Sequence, residues 1–85
     1  MHILYFYKHG CPFSERTHHT IIENFGRLNH QINKVCVDQN PQKYKDELSK
    51  QCGTKITTFP QIFVNNVHVG GYTDLQQWIG NGDMY

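Results

Sequence analysis

The run Ile3-Leu4-Tyr5-Phe6-Tyr7 constrains this chain more than any other segment. It does not alternate between apolar and polar residues, so it reads as a strand buried on both faces. Such a strand must be covered by layers from either side. With 85 residues the chain can build one hydrophobic core and not two. One domain over residues 1–85, organised around a central strand, is expected.

The other elements follow from local punctuation. Met1 to Tyr7 is the first strand, ended by His9-Gly10. Pro12 suits the first helical position, where a missing N–H is harmless. Ile21, Phe25 and Leu28 recur at helical spacing, with Ile22 beside them. They predict a helix from about Pro12 to about Leu28, with Gly26 weakening its last turn. Asn33 to Asp38, around Val35-Cys36-Val37, reads as a second strand. Cys36 is expected there as a buried small hydrophobe. Pro41 opens a second helix to about Gln51, with Tyr44 and Leu48 on one face and Gly53 as a left-handed cap. Gln61 to Val64 and Val67 to Val69 read as strands joined by a tight turn at Asn65-Asn66. A last helix, from about Thr73 to about Ile79, carries Leu75, Trp78 and Ile79. The order β-α-β-α-β-β-α predicts an α/β fold with a four-stranded mixed sheet and helices on both faces.

Charge and cysteine count narrow the function. A net charge of +1 and a pI near 7.8 give no footprint for nucleic acid or an acidic membrane surface. No apolar run approaches the ~18 residues of a membrane span. Lys8 follows the first apolar run too soon for a signal peptide. A cytoplasmic protein without nucleic-acid or membrane partners is expected. Three cysteines cannot close a disulfide framework. Cys52, at a helix end, is expected to be partly exposed and receives no role. Lys43, Lys45, Lys50 and Lys55 alternate with Asp46 and Glu47, as on a solvated face. His18 and His19 are adjacent and expected on different helix faces. No Cys or His spacing suits a zinc site, and no metal is expected.

Cys11 stands immediately before Pro12, at the start of the first helix. Unpaired N–H groups and the helix dipole favour an anion there, and Lys8 adds a positive charge. A thiol so placed is more often a thiolate, the nucleophile of disulfide exchange. The plainer alternative is a half-buried loop cysteine that happens to precede a helix. Ser14 stands where a Cys-x-x-Cys motif would carry its second cysteine. Its hydroxyl can donate a hydrogen bond to the thiolate but cannot form a disulfide. Equally, it can be an exposed serine of the first turn.

Three segments together carry a family resemblance. Lys8-His9-Gly10-Cys11-Pro12-Phe13-Ser14, Thr58-Phe59-Pro60-Gln61-Ile62-Phe63-Val64 and Gly70-Gly71-Tyr72-Thr73-Asp74-Leu75 resemble, in order, the active-site loop, the Thr-Val-Pro segment and the Gly-Gly-x-x-Asp turn of the glutaredoxins. The likeness is to the small bacterial dithiol type, and it implies a thioredoxin-like fold. It implies a glutathione-dependent thiol–disulfide oxidoreductase, active in electron transport and cell redox homeostasis. Its co-substrate would be glutathione and its partners glutathionylated or disulfide-containing proteins. The chain would act as a monomer.

The resemblance assigns residues as well. Cys11 would form the mixed disulfide with glutathione, with Ser14 beside it. Lys8 would attract the glycine carboxylate, and Phe13 would replace the family's usual tyrosine as an apolar wall. Pro60 would be cis, letting the Phe59 backbone pair with the bound cysteinyl backbone. The Phe59 ring is larger than the family's usual residue and would narrow the groove. Thr58 would line the same edge. Gly70 and Gly71 would allow close backbone approach. Tyr72 takes a place where some members have a cysteine. Thr73 and Asp74 would receive the γ-glutamyl carboxylate and ammonium group. Taken singly, Pro60 suits an edge proline, Gly70-Gly71 an ordinary turn and Asp74 a capping acid.

Cys11-Pro12-Phe13-Ser14 departs from both family classes, since the dithiol class has cysteine at the last place and the monothiol class has glycine after the active cysteine. With Ser14 the chain is expected to reduce glutathione mixed disulfides by a monothiol mechanism. If Ser14 replaces a resolving cysteine, the parent protein would be a dithiol electron donor, for instance to ribonucleotide reductase. The alternative is a [2Fe–2S] carrier in which two chains and two glutathiones hold the cluster through Cys11. Pro12 argues against it by stiffening the loop.

Overall fold

Strand β1 (His2–Tyr7) is hydrogen-bonded on both sides in a computed structural model that describes residues 2–26 and 31–80. On one side it pairs in parallel with β2 (Gln31–Cys36), Ile3 opposite Ile32 and Tyr7 opposite Cys36. On the other it pairs antiparallel with β3 (Gln61–Val64), Ile3 opposite Val64. Strand β4 (Val67–Gly70) closes the far edge against β3, so the order is β2-β1-β3-β4. Helices α1 (Pro12–Phe25), α2 (Pro41–Cys52) and α3 (Tyr72–Gly80) complete the expected α/β order.

The apolar first strand is used on both faces, as its composition demands. Ile3 and Tyr5 pack with Ile21 and Phe25 of α1, Ile62 and Val64 of β3, and Leu75 of α3. Leu4 and Phe6 turn the other way, onto Leu48 of α2, Ile56 and Phe63. Each fully buried aliphatic or aromatic side chain of this kind contributes roughly 1.5–3 kcal/mol relative to exposure. Two layers of helix on one sheet therefore follow from the pleat of β1.

The local signals correspond to defined geometry. Asn65 and Asn66 have φ of 50° and 67°, the positive values a two-residue hairpin requires. Gly53 ends α2 at φ 69°, its N–H donating to the Ser49 carbonyl at 3.0 Å. The Asn40 side chain caps the start of that helix through the Lys43 N–H. In α1 the last helical residue is Phe25, and the Gly26 N–H closes on the Ile22 carbonyl at 2.9 Å. The expected helix end at Leu28, like Met1 of the first strand, lies outside the described residues.

Two expectations about β2 are corrected. The strand begins at Gln31 rather than Asn33, and Cys36 is exposed rather than buried. The reason is strand order: β2 is an edge strand, and most of its residues face solvent. The apolar triplet Val35-Cys36-Val37 buries only its last member, Val37, fully. Cys52 is partly exposed, at the end of α2. Lys43, Lys50, Lys55, Asp46 and Glu47 are exposed, and Lys45 is half-buried. No helix among the described residues is long and apolar enough to cross a membrane.

Candidate active site

Cys11 is the N-cap residue of α1, with extended backbone (φ −80°, ψ 123°) and Pro12 just inside the helix. Its own N–H donates to the Lys8 carbonyl at 3.2 Å, and its carbonyl accepts from the Glu15 N–H at 3.1 Å. The loop before it turns at Gly10. It is tied to the end of β2 by the His9 N–H, which donates to the Asp38 carboxylate at 2.9 Å. The thiol is partly exposed. Its pKa is lowered, chiefly by the backbone N–H of Ser14 and further by that of Phe13, the Ser14 hydroxyl and the Lys8 charge; desolvation opposes them. The helix start therefore favours the thiolate form of Cys11, and the thiol is partly accessible.

Ser14 is not the exposed serine that a first-turn position allows. It is 3% exposed, and its hydroxyl accepts the Lys8 N–H at 3.1 Å. It supports the Cys11 loop from beneath as well as lowering the thiol's pKa.

Eight of the expected glutathione-site residues surround one open groove of about 330 Å³: Phe13, Thr58, Phe59, Pro60, Gly71, Tyr72, Thr73 and Asp74. They come from three distant stretches, brought together by the β1–β3–β4 pairing. Phe13 is half exposed, its ring 6.2 Å from that of Tyr72, with the Arg16 guanidinium 5.6 Å from its centroid on the solvent side of the helix. The Phe59–Pro60 peptide bond is cis. The Phe59 ring also packs against the Leu48, Ile56 and Phe63 cluster. Lys8 is not brought to this groove; it is exposed and lines a different cavity.

Just before Gly71 of the groove, Gly70 has φ 122° and is buried. That backbone conformation strains any other residue, and a Cβ there would stand 2.3 Å from the Asp74 carboxylate, which would have to shift. Gly71 is less restricted: an added Cβ would make an ordinary 3.5 Å contact with the Pro60 carbonyl. One Asp74 oxygen accepts the Gly71 N–H at 3.0 Å, while the Gly71 carbonyl accepts the Leu75 N–H. Asp74 thus caps α3 and lines the groove at once. A register shift in the β3–β4 ladder, where Ile62 faces Gly70 and Phe63 faces His68, delivers this turn to the groove.

Two residues make contacts near the site that the sequence reading does not assign. Gln61 is buried; its amide donates to the Thr58 carbonyl at 3.0 Å, and its carbonyl oxygen meets His68 Nε2 at 2.7 Å. It holds the Thr58–Pro60 edge in place, and an amide side chain directly after the proline is the available signal. His18 meets the buried Tyr5 hydroxyl through Nδ1 at 2.5 Å. His18 and His19 do not diverge: their rings lie 6.2 Å apart and line one cavity.

A partly exposed, low-pKa cysteine at a helix start, on this sheet and beside this groove, defines a thiol–disulfide oxidoreductase of thioredoxin-like fold. Comparison with known proteins is specific. The glutaredoxin family model matches residues 3–69. Glutaredoxin 1 of Escherichia coli is 31% identical over 80 residues, covering 93% of each chain. The crystal structure of glutaredoxin 1 from Francisella tularensis, complexed with cacodylate, superposes with a TM-score of 0.80 at 26% identity, over 99% of this chain and 98% of that one. A buckwheat glutaredoxin–glutathione complex shares the fold at a TM-score of 0.73 and 20% identity, over 96% of this chain and 71% of that one. This chain belongs to the glutaredoxin family.

Proposed function

We propose that this glutaredoxin reduces glutathione mixed disulfides by a monothiol route through Cys11. The observation that carries the reading is the groove: a thiolate-favouring helix start adjoins a cleft lined by Phe13, Thr58–Pro60 and Gly71–Asp74. The groove offers a peptide edge at Thr58 and Phe59, an aromatic wall at Phe13 and Tyr72, and a carboxylate at Asp74. That set suits a short peptide bearing a free amine. The same fold carries glutathione in the buckwheat complex. The iron–sulfur alternative gains no support from the relatives.

In the first step the Cys11 thiolate attacks the glutathionyl sulfur of a protein–glutathione disulfide. The Cys11–glutathione bond forms, the protein's sulfur leaves as thiolate, and it takes a proton from water. In the second step a glutathione thiolate attacks the glutathionyl sulfur held on Cys11. Oxidised glutathione leaves and the Cys11 thiolate is restored. Ser14 has no sulfur, so the pair at positions 11 and 14 cannot resolve the intermediate internally. The protein contributes an ionised nucleophile and an oriented co-substrate. Turnover of a glutathionylated peptide with glutathione, compared between this chain and Cys11→Ser, tests the reading. Turnover that persists in Cys11→Ser would refute it.

A further inference from the structure

The first turn of α1 is flanked by two cavities that share no lining residue. One is the groove described above. The other, about 550 Å³, opens against β1 and β2 and includes Tyr7, Lys8, His18, His19 and Lys34 in its lining. Glu15 is its one carboxylate, against the two lysines. The Asp38 carboxylate, at the end of β2, is engaged by the His9 N–H. Lys34 stands opposite Tyr5 in the β1–β2 ladder, and its ammonium lies 5.8 Å from the centroid of the Tyr7 ring. Tyr5, buried, holds His18 against the same wall. This is a cationic, aromatic cavity with lysines at two sides.

Its rim is the nucleophile's own loop. Lys8, Gly10 and Ser14 belong to its lining, and Lys8 and Ser14 are the residues bonded around Cys11. With glutathione in the groove on one flank of α1, this cavity lies open on the other, lined by residues of the loop that carries Cys11. A substrate polypeptide that brings a disulfide to Cys11 meets it there. Cationic walls with one carboxylate select a negatively charged side chain over a neutral or positive one.

We propose that this second cavity docks the polypeptide half of the mixed disulfide through an acidic side chain beside its reactive cysteine. The proposal rests on the glutathione-exchange reading and adds a specificity to it. Docking precedes the first exchange step and changes no bond.

The test uses two glutathionylated peptides that differ only in carrying Glu or Gln on either side of the cysteine. The readout is the ratio of their kcat/KM values, which a general loss of activity does not move. The unmodified protein is expected to favour the Glu peptide by about fivefold, the scale of a few partly solvated charge pairs. Lys34→Glu should abolish or invert that ratio, Lys34→Arg should keep it, and raising salt should flatten it. Equal turnover of the two peptides, or an unchanged ratio in Lys34→Glu, overturns the docking site and leaves the reductase reading standing. Absence of turnover, with glutathionylated cysteamine also inert, overturns the reductase reading instead. Docking is then read from binding of the same peptides with serine for cysteine. Tighter binding of the Glu peptide, lost in Lys34→Glu, sustains it, and equal affinities overturn it.

Discussion

The buried Ser14 hydroxyl accepts the backbone N–H of Lys8 at 3.1 Å, across the loop that carries Cys11. One side chain therefore braces the active loop from inside the helix. Ser14→Ala should leave the Lys8 N–H without that acceptor and lower stability by about 1–2 kcal/mol. The Cys11 thiol should rise only partway toward its ordinary pKa, because the backbone N–H of Ser14, the largest cause of the lowering, is retained. Urea denaturation and a pH titration of thiolate absorbance measure the two effects separately.

Cys11 and Cys52 are shifted in opposite directions. The helix start lowers Cys11, whereas burial raises Cys52. Iodoacetamide should therefore label Cys11 first at about neutral pH, with Cys52 following only in more alkaline solution. Peptide mapping after timed labelling reads the order directly. The sign for stability follows from the lowered pKa of Cys11. Its contribution is full above the thiol's unfolded pKa and fades as pH falls through the folded one. Cys11→Ser should remove that part of the pH dependence.

Restoring a sulfur at position 14 should change the class of substrate. Ser14→Cys should gain reduction of dithiol protein disulfides while retaining deglutathionylation. An insulin-type disulfide assay beside the mixed-disulfide assay checks this, and no gain in the former would count against the monothiol account.

Asp74 has two tasks that different substitutions separate. Its carboxylate caps α3 through the Gly71 N–H and also faces the groove. Asp74→Asn keeps an acceptor for the cap and loses the charge, so KM for glutathione should rise about fivefold, with stability nearly unchanged. Asp74→Ala loses both, adding a stability loss of about 1 kcal/mol. Equal KM values for Asp74→Asn and the unmodified protein would leave only the capping role.

Gly70 meets the same carboxylate from the other side. At φ 122°, with a Cβ position 2.3 Å from Asp74, Gly70→Ala must distort the turn. A loss of roughly 2–3 kcal/mol is expected from the backbone conformation and the clash together. Gly71→Ala, with its 3.5 Å contact, should be much milder. Thermal melts of the two variants give the comparison.

Much of the molecule was legible because its signals are short-range. The pre-proline cysteine, the Asn65-Asn66 turn and the Gly53 cap each act through the backbone of a few neighbours. Cys36 was misplaced because strand and burial are different properties. An apolar triplet predicts extended backbone, but only sheet position decides how many of its faces are covered. Ser14 was underspecified for the same reason: a serine suits the surface and the interior equally until the Lys8 N–H is placed over it.

By itself the sequence determined the order of the elements, the double-sided central strand and a thiol at a helix start. Those depend on local sterics, hydrogen bonding and the alternation of the pleat. Tertiary structure alone decided which edge β2 occupies, and so the exposure of Cys36. It alone closed Gly70 against Asp74 and set two unlike cavities on the two flanks of α1. These depend on contacts between residues far apart in the chain, whose distances exist only once the strands have paired.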